Sequence, residues 1–482
     1  MAITSATLPD AAPRRQTLAS NYVDFTSSST EGWAQQYLPD LMEKEAEIFG
    51  KRTVAGFLSQ VGAEERSTSD RVVWSEQGRL HLSYTATNED VSANVFTIVN
   101  DIDGNSITSN HGIRVGDTVV VSSASVTIRG WVSVAAAGSA DVTILPYAEA
   151  TFDSAGFSDS AGAGAYRIMV YGSEFAKGSA GRDGDAKPAN TPTFKSHMNK
   201  HIILKDYYEI SGSDAAQIGW VEISGEDGQS GYLWYLKAEG DTRARFTDYL
   251  EMAMIEGELT VANAGAITGS DAGADNSGTQ GLFNAIESRG HQTTGVTGVN
   301  AATDLAEFDA ILAVFDQNGA IEENMMFVKR SASLAIDDML ASMNSYGAGG
   351  TSYGVFDNEE DMALNLGFSG FRRGSYDFYK SDWKYLNDKS LRGGLNDTVT
   401  DIRGVVIPAG VSSVYDEQLG KNLKRPFLHV RYRASETEDR KLKTWVTGSV
   451  GASTIGTDFM QVHYLSERCL ITQGANNFML MN

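Results

Sequence analysis

The stretch GYLWYLKAEGDTRARFTDYLEMAMIEGE, residues 231 to 258, is the longest helix-like pattern in the chain. In its second half Phe246, Tyr249, Leu250, Ala253 and Met254 fall at i, i+3, i+4, i+7 and i+8, which predicts one wide apolar face. A helix over residues 231–257 follows, with Gly240 as its weak point. About 25 helical residues span roughly 38 Å, the width of a whole domain. Such an element must be covered along its apolar side, so the rest of the chain has to supply a sheet or lobe of comparable length. Directly before it runs NKHIILKDYYEISGS, a strand-like segment ending in Ser211, Gly212 and Ser213.

The totals set the class. At 482 residues the chain exceeds one ordinary core, which predicts two to four domains or lobes. An apolar content of 41% and a charged content of 21% place it among globular proteins. The 62 acidic against 39 basic residues, a formal charge of −23, oppose sequence-reading of DNA and binding to anionic membranes. The single cysteine, Cys469, rules out an intrachain disulfide framework and a thiolate metal cluster. No apolar run is long enough to span a bilayer, and residues 1–20 contain no apolar signal core. The expectation is a soluble product, made and used inside a cell.

Along the chain, residues 1–30 are Ser/Thr/Ala-rich and read as a flexible arm. Residues 31–62 carry a loose helical stripe with Pro39 in a first turn. Between 91 and 165 short apolar runs alternate with Asp-Gly and Gly-Asp turns, which predicts a small antiparallel barrel or sandwich inserted into the main fold. Residues 166–198 begin as strand and pass into a long polar, Gly/Pro-bearing loop, expected to find its partners on another molecule. Past the long helix, TDLAEFDAILAVFDQNG aligns Leu305, Phe308, Leu312 and Phe315, with Asp304 and Glu307 spaced as a capping box and Gly319 as a stop. Helices and strand-like runs then alternate, and the C-terminal stretch is strand-rich, expected to pair near the long helix. The class is α+β.

Catalytic motifs are missing. There is no phosphate loop, no nucleophile elbow and no metalloprotease helix. His197 and His201 are spaced four apart but lie in strand- and loop-like sequence with no third ligand. NDIDGN, residues 100–105, has Gly112 where a calcium loop needs glutamate, and reads as a hairpin turn. Glu359, Glu360 and Asp361 read as a solvated loop, Cys469 as a small buried hydrophobe, and His291 has no nucleophile partner. No cofactor or metal is expected, and the chain reads as no enzyme.

The order of parts resembles the major capsid protein of tailed bacteriophages, the fold shared with herpesvirus capsid floors. Asn199, Ile202, Ile210, Ser211 and Gly212 match the strand that such proteins carry before their spine helix. Ser213 stands where that pattern has threonine, and its glutamine is absent. RARFTDYLEMAMIEGE is similar to the second half of the spine helix. The likeness covers most of residues 31–482, excepting 91–165.

The resemblance implies an extended loop, the E-loop, from 63–90 and 166–200. It implies a peripheral domain from 201–260 and 416–482, with the spine helix at about 231–257, and an axial domain from 261–415. Phe175, Lys177, Lys187 and Phe194 would belong to the intersubunit arm, and Phe246, Tyr249, Leu250 and Met254 to the core of the spine helix. The implied function is structural: homo-oligomeric pentamers and hexamers of an icosahedral virion shell, assembled in the host cytoplasm around double-stranded DNA without sequence-specific binding. Implied partners are a scaffolding protein, a portal, a maturation protease and decoration proteins, with no membrane. Two other readings of the residues stay open. One is a β-rich surface or tail-fibre binding protein, and the other is a carbohydrate-active enzyme.

Overall fold

Two strands, β1 (Ala63–Ser67) and β2 (Arg71–Gln77), precede the alternating region. Six more then close a barrel: β3 (Ser83–Asp90), β4 (Val95–Asp101), β5 (Asp117–Ser122), β6 (Thr127–Ala135), β7 (Asp141–Pro146) and β8 (Tyr166–Ser173). Their order is β3-β4-β7-β6-β5-β8, with β8 antiparallel to β3 to complete the ring. Alternate residues such as Phe96, Val119, Val121, Val132, Val142 and Ile144 point inward and are wholly buried. A six-stranded closed sheet is narrow enough for side chains to fill it. The turn at NDIDGN is held by the Asp101 carboxylate, which accepts the N–H groups of Asp103 (3.0 Å) and Asn105 (2.8 Å). Gly104 there takes the left-handed conformation at φ 82°.

This computed structural model describes residues 56–58, 63–79, 81, 83–90, 92–109, 111–136, 138–157, 166–179, 181–182, 190, 194–213, 233–260, 278–319, 321–345, 370–396, 401–409, 411–416, 421–449 and 454–482. Two compact units divide the chain, Trp74–His197 and Met1–Val73 with Met198–Asn482. The expected arm at 1–30, nearly all of the helical region at 31–62, and the acidic run at 359–361 lie outside the described residues.

After the barrel, β9 (Phe194–Lys200) pairs with β2 as a two-stranded ribbon, and the division between the units falls within it. In the larger unit β10 (Ile202–Ser211) leads to the long helix α1 (Leu233–Glu256). Then come α2 (Leu282–Arg289), β11 (His291–Thr293), α3 (Ala301–Asn318), β12 (Glu323–Val328) and α4 (Arg330–Ser345). They are followed by β13 (Gly370–Arg373), β14 (Tyr376–Asp382), the short turns α5 (Lys384–Asn387) and α6 (Arg392–Leu395), and β15 (Gly404–Pro408). A hairpin of β16 (Val411–Asp416) and β17 (Lys421–Pro426) precedes β18 (Leu428–Arg433), β19 (Lys443–Gly448), β20 (Phe459–Thr472) and β21 (Met479–Met481).

Two sheets organise this unit. One runs β1-β18-β20-β10, with β19 also paired to β20, and α1 lies against it through Phe246 and Leu250 on Val462 and Tyr464. The other runs β11-β21-β15-β12-β14-β13, covered by α3 and α4 through Phe308, Phe315, Ile336 and Met339. A continuous core joins the two, from Met254 and Ile255 on α1 through Phe283, Phe327 and Trp383 to Leu470 and Leu480.

Several boundaries differ from the expectation. Residues 83–90 and 166–173, given to the extended loop, are barrel staves, because without β3 and β8 the sheet would keep two open edges. Residues 63–67, also given to the loop, form the edge strand β1, parallel to β18. Of the C-terminal strands, β20 pairs with β10 beside α1, but β21 joins the other sheet between β11 and β15. The N-cap of α3 is Asn300, whose side chain accepts the Thr303 N–H at 3.0 Å, rather than Asp304. Asp304 and Glu307 instead accept the backbone N–H groups of Gly298 (2.8 Å) and Thr297 (2.7 Å), pinning the incoming loop. Gly319 ends the helix in the left-handed conformation, φ 62°.

Candidate functional site

The residues that carry reaction chemistry are dispersed. Among the described residues no group of three or more His, Cys, Asp or Glu could hold a metal ion. His197 faces Glu76, 3.5 Å away, and packs on Trp74, while His201 Nδ1 meets the Asp70 carbonyl at 3.2 Å. Cys469 is buried, and burial pushes its thiol up to about 12, so it packs as an apolar residue.

Two shallow depressions lie in the larger unit. One, about 420 Å³, is lined by Thr68, Arg433, Ala434, Ser435, Glu438, Arg440 and Glu467. Its arginines are matched to carboxylates: Arg440 Nε stands 2.6 Å from Glu467, and Arg433 reaches both Asp70 and Glu467. The other, about 370 Å³, is lined by Lys205, Asp206, Tyr207, Trp445, His463 and Tyr464. There His463 stacks on Trp445 at 5.1 Å and meets the Thr447 hydroxyl at 2.7 Å. No carboxylate hydrogen-bonds its second ring nitrogen among the described residues, so the hydroxyl–imidazole pair lacks the orienting acid of a nucleophilic site.

The long helix carries the built arrangement. Phe246, Leu250 and Met254 are 1%, 3% and 0% exposed. Tyr249 is 43% exposed and is not part of that buried face. At about 100° per residue Leu250 and Met254 lie about 40° and 80° ahead of Phe246, whereas Tyr249 lies about 60° behind it. The buried sector rotates forward as α1 enters the core, leaving Tyr249 on the trailing flank.

Two carboxylates on the same helix tie in distant chain segments. Glu251 is buried and accepts the N–H groups of Gly56 (2.6 Å) and Phe57 (3.3 Å). Burial pushes its carboxyl up, and those two N–H groups pull it back. Phe57, so held, stacks on Trp383 at 4.5 Å and meets Phe327 edge-on at 4.7 Å. One turn beyond, Glu256 accepts the Tyr385 hydroxyl (2.8 Å) and pairs with Arg392 (3.0 Å). Sequence reasoning passed over both acids; the signal was an acid set into the apolar run LEMAMIE.

The ring of Phe175 lies on Gly116 of its own barrel, 2.8 Å from where a Cβ there would stand, and the Trp131 indole donates to the adjacent Glu174 carbonyl at 3.1 Å. Lys177 is exposed, Phe194 opens β9, and Lys187 lies outside the described residues. Large apolar side chains are left in solvent on both units, among them Val299, Leu334, Tyr379 and Leu395 in the larger one and Leu145, Tyr147, Met169 and Tyr171 on the barrel. No helix among the described residues is long and apolar enough to cross a membrane.

No family model and no curated protein matches the chain. Solved structures do. A structure from Microbacterium phage Oxtober96 is 9% identical, with a TM-score of 0.40, and covers 95% of this chain and 99% of its own. One from Mycobacterium phage Ogopogo is 10% identical at 0.40, covering 93% and 97%. The capsid structure of the Cyanophage P-SCSP1u is 10% identical at 0.40, covering 93% of each chain. At such scores the likeness carries no argument about function.

Proposed function

We propose that this chain is the repeating subunit of a viral shell, a major capsid protein of the tailed-phage type. One observation carries the reading. The strand β10 is followed in the chain by a 24-residue helix that lies on the sheet β10 belongs to, and that sheet is completed by β20 from the far end of the chain. A rigid bar backed by a sheet, with a mixed lobe at one end, suits a subunit whose task is geometric. In this reading α1 is the spine helix, its sheet the peripheral domain, and the second sheet with α3 and α4 the axial domain. The ribbon of β2 and β9, together with residues 174–193, is the part of the extended arm left outside the barrel. Head-to-tail contacts then close into five- and six-membered rings and the rings into a shell. Burial of the apolar side chains now in solvent supplies most of the adhesion. DNA is enclosed without being read, as the charge of −23 suits. Scaffolding, portal, protease and decoration proteins are partners of the same reading.

The test is sedimentation of the purified protein, alone and with the proteins encoded beside it, followed by electron microscopy of the heavy fraction. Rings, tubes or closed shells support the proposal. A chain that stays monomeric under every such condition overturns it. Deleting residues 176–193 should leave a folded subunit that no longer enters particles, and normal particles from that deletion would remove the arm assignment.

A further inference from the structure

Residues 174–182, EFAKGSAGR, contain one large apolar side chain and no pattern that could bury itself. Whatever places this stretch must lie elsewhere, and the sequence predicts a surface on another molecule. The partner in the structure is its own barrel, at the turn that opens β5. The Glu174 N–H donates to the Gly116 carbonyl at 2.9 Å. Gly116 sits at φ 91°, where a side chain would be strained, and the Phe175 ring lies over the bare backbone. The Ser179 N–H returns to the Ala176 carbonyl (3.0 Å) and closes a turn. Beyond it Arg182 pairs with Asp117, and the Asn190 side chain donates to the Gly112 carbonyl at 2.6 Å. Contacts from 174, 175, 182 and 190 thus converge on residues 112–117, all within the smaller unit.

Asp117 is the centre of this arrangement. It is 2% exposed, and one of its carboxylate oxygens accepts the Arg114 N–H at 2.8 Å. The Arg114 guanidinium is turned away from it, donating to the carbonyls of His111 (2.5 Å) and Ile113 (3.0 Å). The cation that faces the buried carboxylate therefore comes from the loop, 65 residues further on. A buried carboxylate deprived of its cation is costly, so this pair holds its loop more firmly than an exposed ion pair would.

We propose that the turn at residues 112–117 is the seat of the loop after β8, with the Asp117–Arg182 pair as its fastener. The inserted barrel then has a task of its own: it carries the loop in a set position before the loop touches anything else. A loop ordered inside the folded chain loses less freedom on any later contact. The inference goes beyond the shell reading and does not need it; within that reading it gives the arm a fixed root.

The test is limited trypsin digestion of the full-length, unassembled chain, followed by mass spectrometry. Lys177 lies between the tie at Phe175 and the tie at Arg182, so cutting after it requires the loop to leave its seat. Cleavage of a transiently opened segment tracks the population of the open form. Arg182→Gln and Asp117→Asn should each speed cutting after Lys177 about tenfold or more, the size expected for losing a hydrogen bond to a charged group. Cutting after Arg129 and Arg167, on the staves β6 and β8, should stay at the parental rate. Arg182→Lys, which keeps the charge, should lie nearer the parent. Unchanged cutting after Lys177 in both charge-removing variants overturns the inference. Equal acceleration at Arg129 and Arg167 overturns it too, because the barrel itself has then opened. So does a parent chain cut after Lys177 as fast as a free peptide of residues 170–184. None of these outcomes touches the shell reading, which particle formation tests separately.

Discussion

The barrel and the larger unit solve the same problem of burying a sheet in opposite ways. In the barrel every stave pairs with a neighbour on both sides around an apolar cluster. In the larger unit the sheets draw strands from both ends of the chain, and two carboxylates on α1, one buried and one half-buried, fasten what the strands leave loose. Glu251 holds residues 56 and 57, and Glu256 holds the segment at 385–392. Removing such a carboxylate is costly where it leaves the groups it held without an acceptor. A local, self-closed sheet therefore tolerates surface change, whereas the long-range unit concentrates its vulnerability at a few tethers.

That contrast can be broken most directly on α1. Phe246→Asp with Leu250→Asp removes two buried apolar groups and buries two charges, a loss of more than about 5 kcal/mol. The larger unit should fail to fold while the barrel keeps its own cooperative melt. A single transition at the parental temperature would show that this face is not core. Next in size is Phe57→Ala, which empties the space against Trp383 and Phe327 and should cost about 3–4 kcal/mol; denaturant titration followed by tryptophan emission measures it. Glu251→Ala leaves two N–H groups without an acceptor and should cost about 1–3 kcal/mol. Faster hydrogen exchange at Phe57 should accompany it, and unchanged exchange there would mean the carboxylate is not the tether.

The smallest effect belongs to the barrel. His111 is buried at its end, edge-on to Tyr84, with Arg114 and Asp141 nearby. Burial, then the Arg114 charge, holds its imidazole below the usual range, while the carbonyls of Ser139 and Ile113 and the Asp141 carboxylate pull the other way. The folded barrel thus binds fewer protons here than the unfolded chain once the pH falls below about 6.5. Its contribution is fully present above that pH and declines as the pH falls towards the lowered value. The barrel melt should drop with acidification in that window, and His111→Gln should flatten the drop.

How much was legible follows from the same contrast. The central staves announce themselves, because NVFTIV, DTVVVSS and ADVTIL are strand-sized apolar runs set between Asp-Gly and Gly-Asp turns. The closing staves do not: SYTATNED contributes little more than Tyr84 and Ala86 to the interior, and its need for β8 is topological, invisible to any local pattern. On α1, of the five face residues the spacing gave, Phe246, Leu250 and Met254 are buried, Ala253 is partly buried and Tyr249 is exposed. The spacing placed Tyr249 wrongly because a stripe read from sequence has no knowledge of how deep each turn will sink. Glu251 was missed for the reason that makes it effective, since an acid in an apolar stripe reads as noise until its distant partner is seen.

The position of β21 also sets a timetable. It lies between β11 and β15, so the six-stranded sheet cannot close until residue 481 has been synthesised. The last stave of the barrel ends at residue 173. At 5–20 residues per second the remaining stretch of about 300 residues takes roughly 15–60 s. During that interval the nascent chain carries a finished barrel ahead of a larger unit that is still an open sheet, and a ribosome stalled in that window would release a folded fragment rather than a tangle.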